Sequence, residues 1–172
     1  MKNNEYVHYY VEGQDEEKLL SVLKTDMELI IPGKIQVFNI TQEVLTKLRL
    51  MQLKDNTRVV LVYDTDTEGS DTLLENVQIL KSCSRVKEVV CVPQVKNLED
   101  ELKRCCEINQ IKELTGSKSN KEYKSDIIKE KNLKSKLEKN NFNFGQMWSK
   151  IPQNEYKIFG NDSEKIKTRK SM

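Results

Sequence analysis

Short apolar runs alternate with amphipathic stretches along the first two thirds of the chain. Tyr6 to Val11 is a β-prone run that ends in Glu12-Gly13. From Asp15 to Lys24 the apolar residues Leu19, Leu20 and Leu23 share one helical face. Pro32-Gly33 marks a turn, and Ile35 to Ile40 reads as a second strand. Thr41 is a candidate cap for a helix with a stripe of Val44, Leu45, Leu48 and Met51. Val59 to Tyr63 is apolar throughout, as expected of a central parallel strand covered on both faces. It runs into Asp64-Thr65-Asp66-Thr67-Glu68-Gly69. A helix with Leu73, Leu74, Val77 and Leu80 facing inward follows. Next come a fourth strand over Val89 to Val92, ended by Pro93, and a helix from Asn97 to about Ile108.

This β-α alternation predicts an α/β protein with a four-stranded parallel sheet and right-handed crossovers. Ligands of such sheets bind at the carboxyl ends of the strands. Glu12 belongs at the end of the first strand, and Asp64 and Asp66 at the end of the third.

The pattern changes after Gly116. GSKSNKEYKSD is polar and basic, and Asp126 to Lys139 reads as one helix with a thin stripe of Ile127, Ile128, Leu133 and Leu137. Phe142, Phe144, Met147 and Trp148 are expected to dock this extension onto the sheet domain. Ser163 to Met172 has no apolar pattern and is expected to fray. The expected organisation is therefore a sheet domain over 1–111, a basic, mostly helical C-terminal extension over 112–162 and a disordered tail over 163–172.

Charge sharpens that division. The whole chain carries +2, but residues 1–111 sum to −5 and residues 112–172 to +7. An acidic front beside a basic back suits a metal-binding part next to a polyanion-binding part. The back half reads equally as an ordinary solvated surface. Lys118, Lys121 and Lys124 are its candidate nucleic-acid contacts. The four cysteines form no C-x-x-C, and the one histidine is remote, which argues against zinc. The first ten residues lack the apolar core of a signal peptide, and no run approaches the ~18 apolar residues of a membrane span. A reducing, cytoplasmic setting is expected.

Two aspartates separated by one residue at the tip of a buried strand repel one another unless a proton or cation intervenes. An oxygen-only donor set suits Mg²⁺ or Mn²⁺. Either acidic piece alone also reads as a helix N-terminus, where negative side chains are favoured.

Taken together, a strand ending in Glu12-Gly13 and, about fifty residues on, a strand ending in Asp64-Thr65-Asp66 resemble a Toprim domain over roughly residues 5–108. That family includes topoisomerases, bacterial primases, OLD-family nucleases and small ribonucleases. The resemblance implies a Rossmann-like Toprim fold. It implies Glu12 near the scissile phosphate as metal ligand or general acid/base, with Asp64 and Asp66 holding the cation. Glu16 matches the second acid of the E-G-x-x-E form of OLD-type nucleases. Those enzymes also use a later acid, for which Glu99, Asp100 and Glu101 are candidates, and a lysine, for which Lys118, Lys121 and Lys124 are candidates.

A chain of 172 residues is not expected to hold the further domains of topoisomerases or primases. The resemblance therefore implies an Mg²⁺- or Mn²⁺-dependent nuclease, a hydrolase of DNA or RNA phosphodiesters. The alternative is a non-catalytic or conditionally active effector working with a separately encoded ATPase.

Two other patterns touch the same residues. Asp64 to Glu75 almost fits the calcium loop of an EF-hand, but a β-type run precedes it. Asp64-x-Asp66-x also resembles the phosphatase motif of haloacid dehalogenases, but Glu68 departs from that motif and two strands precede it.

Overall fold

The computed structural model describes residues 5–169. Four strands alternate with helices: β1 (Tyr6–Val11), α1 (Gln14–Thr25), β2 (Lys34–Val37), α2 (Lys47–Met51), β3 (Thr57–Asp64), α3 (Asp71–Ser82), β4 (Val86–Gln94) and α4 (Leu98–Cys105). Then come α5 (Lys112–Thr115), α6 (Tyr123–Lys129), α7 (Leu133–Lys139) and 3-10 turns at Phe144–Gln146, Glu155–Phe159 and Ser163–Ile166. The strands form one parallel sheet in the order β2-β1-β3-β4. This is a Rossmann-like α/β architecture with helices on both faces. Among the described residues no helix is long and apolar enough to cross a membrane.

The period-two geometry of a strand divides the apolar runs between two cores. Tyr9, Val11, Val60 and Val62 pack with Leu19, Leu20 and Leu23 of α1 and with Leu98 and Leu102 of α4. Tyr10, Val59, Leu61 and Tyr63 pack on the opposite face with Leu73, Val77 and Leu80 of α3. The C-terminal extension joins both cores: Tyr156 is buried in the second, and most of its anchors lie in the first. Tyr123, Ile127, Leu133, Leu137, Met147 and Trp148 are buried in the same cluster as the sheet residues. The extension is thus continuous with the sheet core through its aromatic and aliphatic anchors.

Several elements differ from the sequence-based expectation, each for a local reason. Strand β4 does not stop at Pro93 but runs through it to Gln94. It is an edge strand, and the N–H and C=O of Cys91, two residues earlier, turn outward to Asp162. The missing N–H of Pro93 therefore falls on the open edge, where proline is tolerated. Thr41 does not cap α2. Thr46 does, accepting from the Arg49 N–H, while Val44, Leu48 and Met51 lie exposed and only Leu45 of that stripe is buried. The single helix expected over 126–139 is two, because Glu130 is extended and its carboxylate accepts from the Asn132 N–H.

The C-terminal segment expected to fray is instead packed as far as it is described. Ile166 is fully buried, the Ile31 N–H donates to the Ile166 carbonyl, and Ile30 pairs antiparallel with Lys167. Lone apolar residues in a charged tail carry no periodicity, so the pattern alone did not reveal this anchor. The last three residues of the expected tail lie outside the described residues.

Candidate functional site

The two central strands set the site. Val11 of β1 lies in register with Val62 of β3, so Glu12 comes level with Tyr63, and Asp64, one residue further, ends the adjacent strand at the same carboxyl edge. Gly13 follows in an extended conformation and opens α1. A Cβ on residue 13 would lie 2.8 Å from Asp15 Oδ1 and 2.9 Å from Glu16 Oε2. Glycine leaves the space into which these two acids fold. Both are buried in the first turn of α1, where the helix dipole favours negative charge.

Each acid has a distinct environment. Glu12 accepts from the Thr41 hydroxyl at 2.9 Å. Burial raises its pKa, the Thr41 hydroxyl and the Asp64 backbone N–H oppose the rise, and the Asp66 charge adds to it. Asp64 is pushed up to about 8, first by burial and then by the charge of Glu12, with Asp66 and Glu99 contributing. Glu16 is also held well above the usual carboxylate range, by burial, by a hydrogen bond to Asp15 and by the charges of Asp15 and Asp64. Asp66 is exposed and accepts from Asn97 Nδ2 at 3.1 Å. The four expected acids thus act on one another electrostatically. Among the described residues, however, no group of three His, Cys, Asp or Glu side chains is arranged to hold a metal ion. The carboxylates lean instead on amide, hydroxyl and ammonium groups.

Those supporting groups went unnoticed in the sequence. Gln94, the last residue of β4, pairs with Asp64 in register and donates from Nε2 to Asp64 Oδ1 at 2.7 Å. Its Oε1 is buried and accepts no hydrogen bond. Thr65 staples the two strand ends together: its hydroxyl donates to the Gln94 carbonyl and accepts from the Lys96 N–H. Asn97 both caps α4 and holds Asp66. The sequence placed the start of this helix at Asn97, but neither its capping bond nor its bond to Asp66 was legible there. Asp15 Oδ2 is a further buried acceptor without a hydrogen bond, and Lys124 Nζ lies 3.8 Å from it.

The three candidate late acids separate cleanly. Glu101 is fully buried and structural: it accepts from the Val95 and Trp148 N–H groups and from Arg104. Asp100 pairs with Lys103 on the same helix. Glu99 alone faces the site, where it pairs with Lys124 at 3.3 Å and adds to the rise at Asp64. The lysines divide in the same way. Lys118, Lys121 and Lys124 are all exposed, and Lys124 in addition bridges Asp15 and Glu99. Burial pulls the Lys124 pKa down, but the two carboxylates outweigh it and hold the ammonium charged. The β-strand before Asp64 also removes the helix that an EF-hand needs.

Comparison with known proteins returns no match: no family model, no curated protein and no solved structure matches this chain. Fold and site together define a Rossmann-like α/β protein with partly buried acids at the carboxyl edge of its sheet.

Proposed function

We propose that this acidic edge is the Mg²⁺ or Mn²⁺ site of a Toprim-type nuclease that cleaves DNA or RNA. The observation that carries the reading is the placement of Glu12 and Asp64 on adjacent strand ends, with Asp64 pushed up to about 8 by burial and by Glu12. Carboxylates crowded in this way favour either protons or a cation. The donors fit a hard divalent ion: they are all oxygens, and the buried Gln94 Oε1, which accepts no hydrogen bond, adds a further acceptor. Glu12, Asp64, Asp66 and Glu16 would hold the ion. When bound, such an ion neutralises phosphate charge and lowers the pKa of coordinated water.

The chain's own residues do the rest. Glu12, held by the Thr41 hydroxyl, is oriented to take or return a proton at the scissile phosphate. Lys124 already sits among the acids and carries positive charge to the phosphate. Lys118 and Lys121 lie exposed in the basic extension and attract the nucleic-acid backbone without reading sequence. Incubation with labelled single- and double-stranded DNA and RNA tests the proposal. Wild type should cleave at least one substrate with Mg²⁺ or Mn²⁺, and Asp64→Ala should not. No cleavage of any substrate by wild type would count against it.

A second reading rests on the finding that no three of the described acids are arranged to hold an ion. On this reading the chain is an effector that becomes active, or acts without catalysis, beside a separately encoded ATPase.

A further inference from the structure

The loop that carries Asp66 is held from outside the sheet domain. Asn154 Nδ2 donates to the Thr65 carbonyl at 2.8 Å. The Gly69 N–H donates to Glu155 Oε1 at 2.7 Å. The Tyr156 hydroxyl lies 2.8 Å from the Thr67 hydroxyl and donates to the Gly69 carbonyl at 3.1 Å. The Tyr156 ring is fully buried, 5.9 Å from the Tyr63 ring, which anchors the segment to the sheet. Asn154 also accepts from the Tyr156 N–H at 3.2 Å, so the three residues form one cap. Four separate groups of the loop, at both ends and in the middle, thus meet three consecutive residues almost ninety positions further along the chain.

The loop needs this help. Gly69 has φ +86°, a conformation open to glycine but rare for other residues. Asp66 and Glu68 are exposed. Between them the loop has little apolar burial of its own to keep it in place.

We infer that Asn154, Glu155 and Tyr156 are positioning residues that set the conformation of the loop from Thr65 to Ser70, and through it the place of Asp66 beside Glu12 and Asp64. The consequence for metal affinity rests on the nuclease reading above, whereas the hold on the loop does not. The segment Asn154–Tyr156 lies within the basic extension.

Hydrogen exchange of the loop amides in the metal-free full chain, together with Mn²⁺ binding followed by electron paramagnetic resonance, tests this. Tyr156→Phe keeps the buried ring and removes the hydroxyl. Glu155→Ala removes the acceptor of the Gly69 N–H, and Glu155→Gln restores one. Tyr156→Phe and Glu155→Ala should each speed loop exchange about tenfold and weaken Mn²⁺ binding about tenfold, with β3 amides unchanged. Glu155→Gln should stay near wild type.

Unchanged loop exchange in both variants would overturn the inference. So would faster exchange with unaltered Mn²⁺ affinity. If wild type binds no Mn²⁺ while the variants still loosen the loop, the hold of the segment stands and the metal reading falls. Glu155 is exposed, so its two variants keep the test decisive even if Tyr156→Phe unfolds.

Discussion

Gln94 Nε2 and Asp64 Oδ1 meet at 2.7 Å across the last rung of the β3–β4 ladder. This bond opposes the burial that raises Asp64. A hydrogen bond to a charged group is worth roughly 1.5–3 kcal/mol, or about one to two pKa units. Gln94→Leu should therefore raise the Asp64 pKa further, by about one unit, as read by carboxyl-carbon NMR titration. It should cost little stability, since it also removes a buried Oε1 that has no partner. An unchanged Asp64 titration would show that Gln94 does not tune the site.

Stability of the metal-free protein should fall as pH rises towards 8. Asp64 keeps its proton to about 8 in the folded chain and releases it near 3.8 when unfolded. Between those values the folded state binds more protons, so stability declines with pH. His8 works the other way below its ordinary 6.5, because burial holds it neutral down to about 4. The window from pH 6.5 to 8 isolates the carboxyl effect, and Glu16 shifts in the same direction as Asp64. The expected loss there is about 1–2 kcal/mol, several degrees of Tm at this chain length. Asp64→Asn should flatten the slope. A Tm that rises across this window in wild type would contradict it.

Nucleic-acid binding should weaken steeply with salt, and the triple replacement of Lys118, Lys121 and Lys124 by Ala should flatten the log–log slope. Each lost phosphate contact is worth about one unit of slope. The single replacement Lys124→Ala should behave differently from the other two. It leaves Asp15 and Glu99 without their shared cation and removes a charge that holds Glu12 down, and so should raise the Glu12 pKa as well. Salt-independent binding, or none, would move the basic half to the role of a solvated or protein-docking face.

The extension should not be separable from the sheet. The Trp148 side chain is fully buried, and its backbone N–H donates to the buried Glu101 carboxylate. Truncating a buried Trp to Ala costs roughly 3–5 kcal/mol, against ~5–15 kcal/mol for a whole domain. Trp148→Ala should lower Tm by about 6–20 °C in a thermal melt. A chain ending at residue 111 should fail to show a cooperative transition. A well-folded 1–111 fragment would make the extension an independent appendage.

The sheet was legible in the sequence because Val59 to Tyr63 is apolar throughout and Tyr6 to Val11 ends in Glu-Gly. The sequence placed Glu12 and Asp64 at the carboxyl ends of parallel strands, and the pairing of β1 with β3 puts those ends next to each other. Side-chain support was not legible, because it depends on contacts between distant segments. Gln94 reads as the polar end of an apolar run, yet it holds Asp64. Thr41 reads as a helix cap, yet its hydroxyl goes to Glu12. Asn154 to Tyr156 carry no motif, and only the folded chain brings them to the Asp66 loop. Among Glu99, Asp100 and Glu101, adjacent acids of one helix turn, only helical phase and packing distinguish a site residue from a buried clamp.

The central claim, that the Glu12–Asp64 edge takes a divalent cation, is tested most directly by calorimetric titration of Mn²⁺ into wild type and Asp64→Asn at pH 7. Asp64 is protonated there in the metal-free protein, so binding must expel protons, and the measured heat must vary with the ionisation enthalpy of the buffer. Saturable binding with proton release in wild type, lost in Asp64→Asn, is the predicted result. No saturable heat in wild type, or equal binding by Asp64→Asn, would contradict the claim.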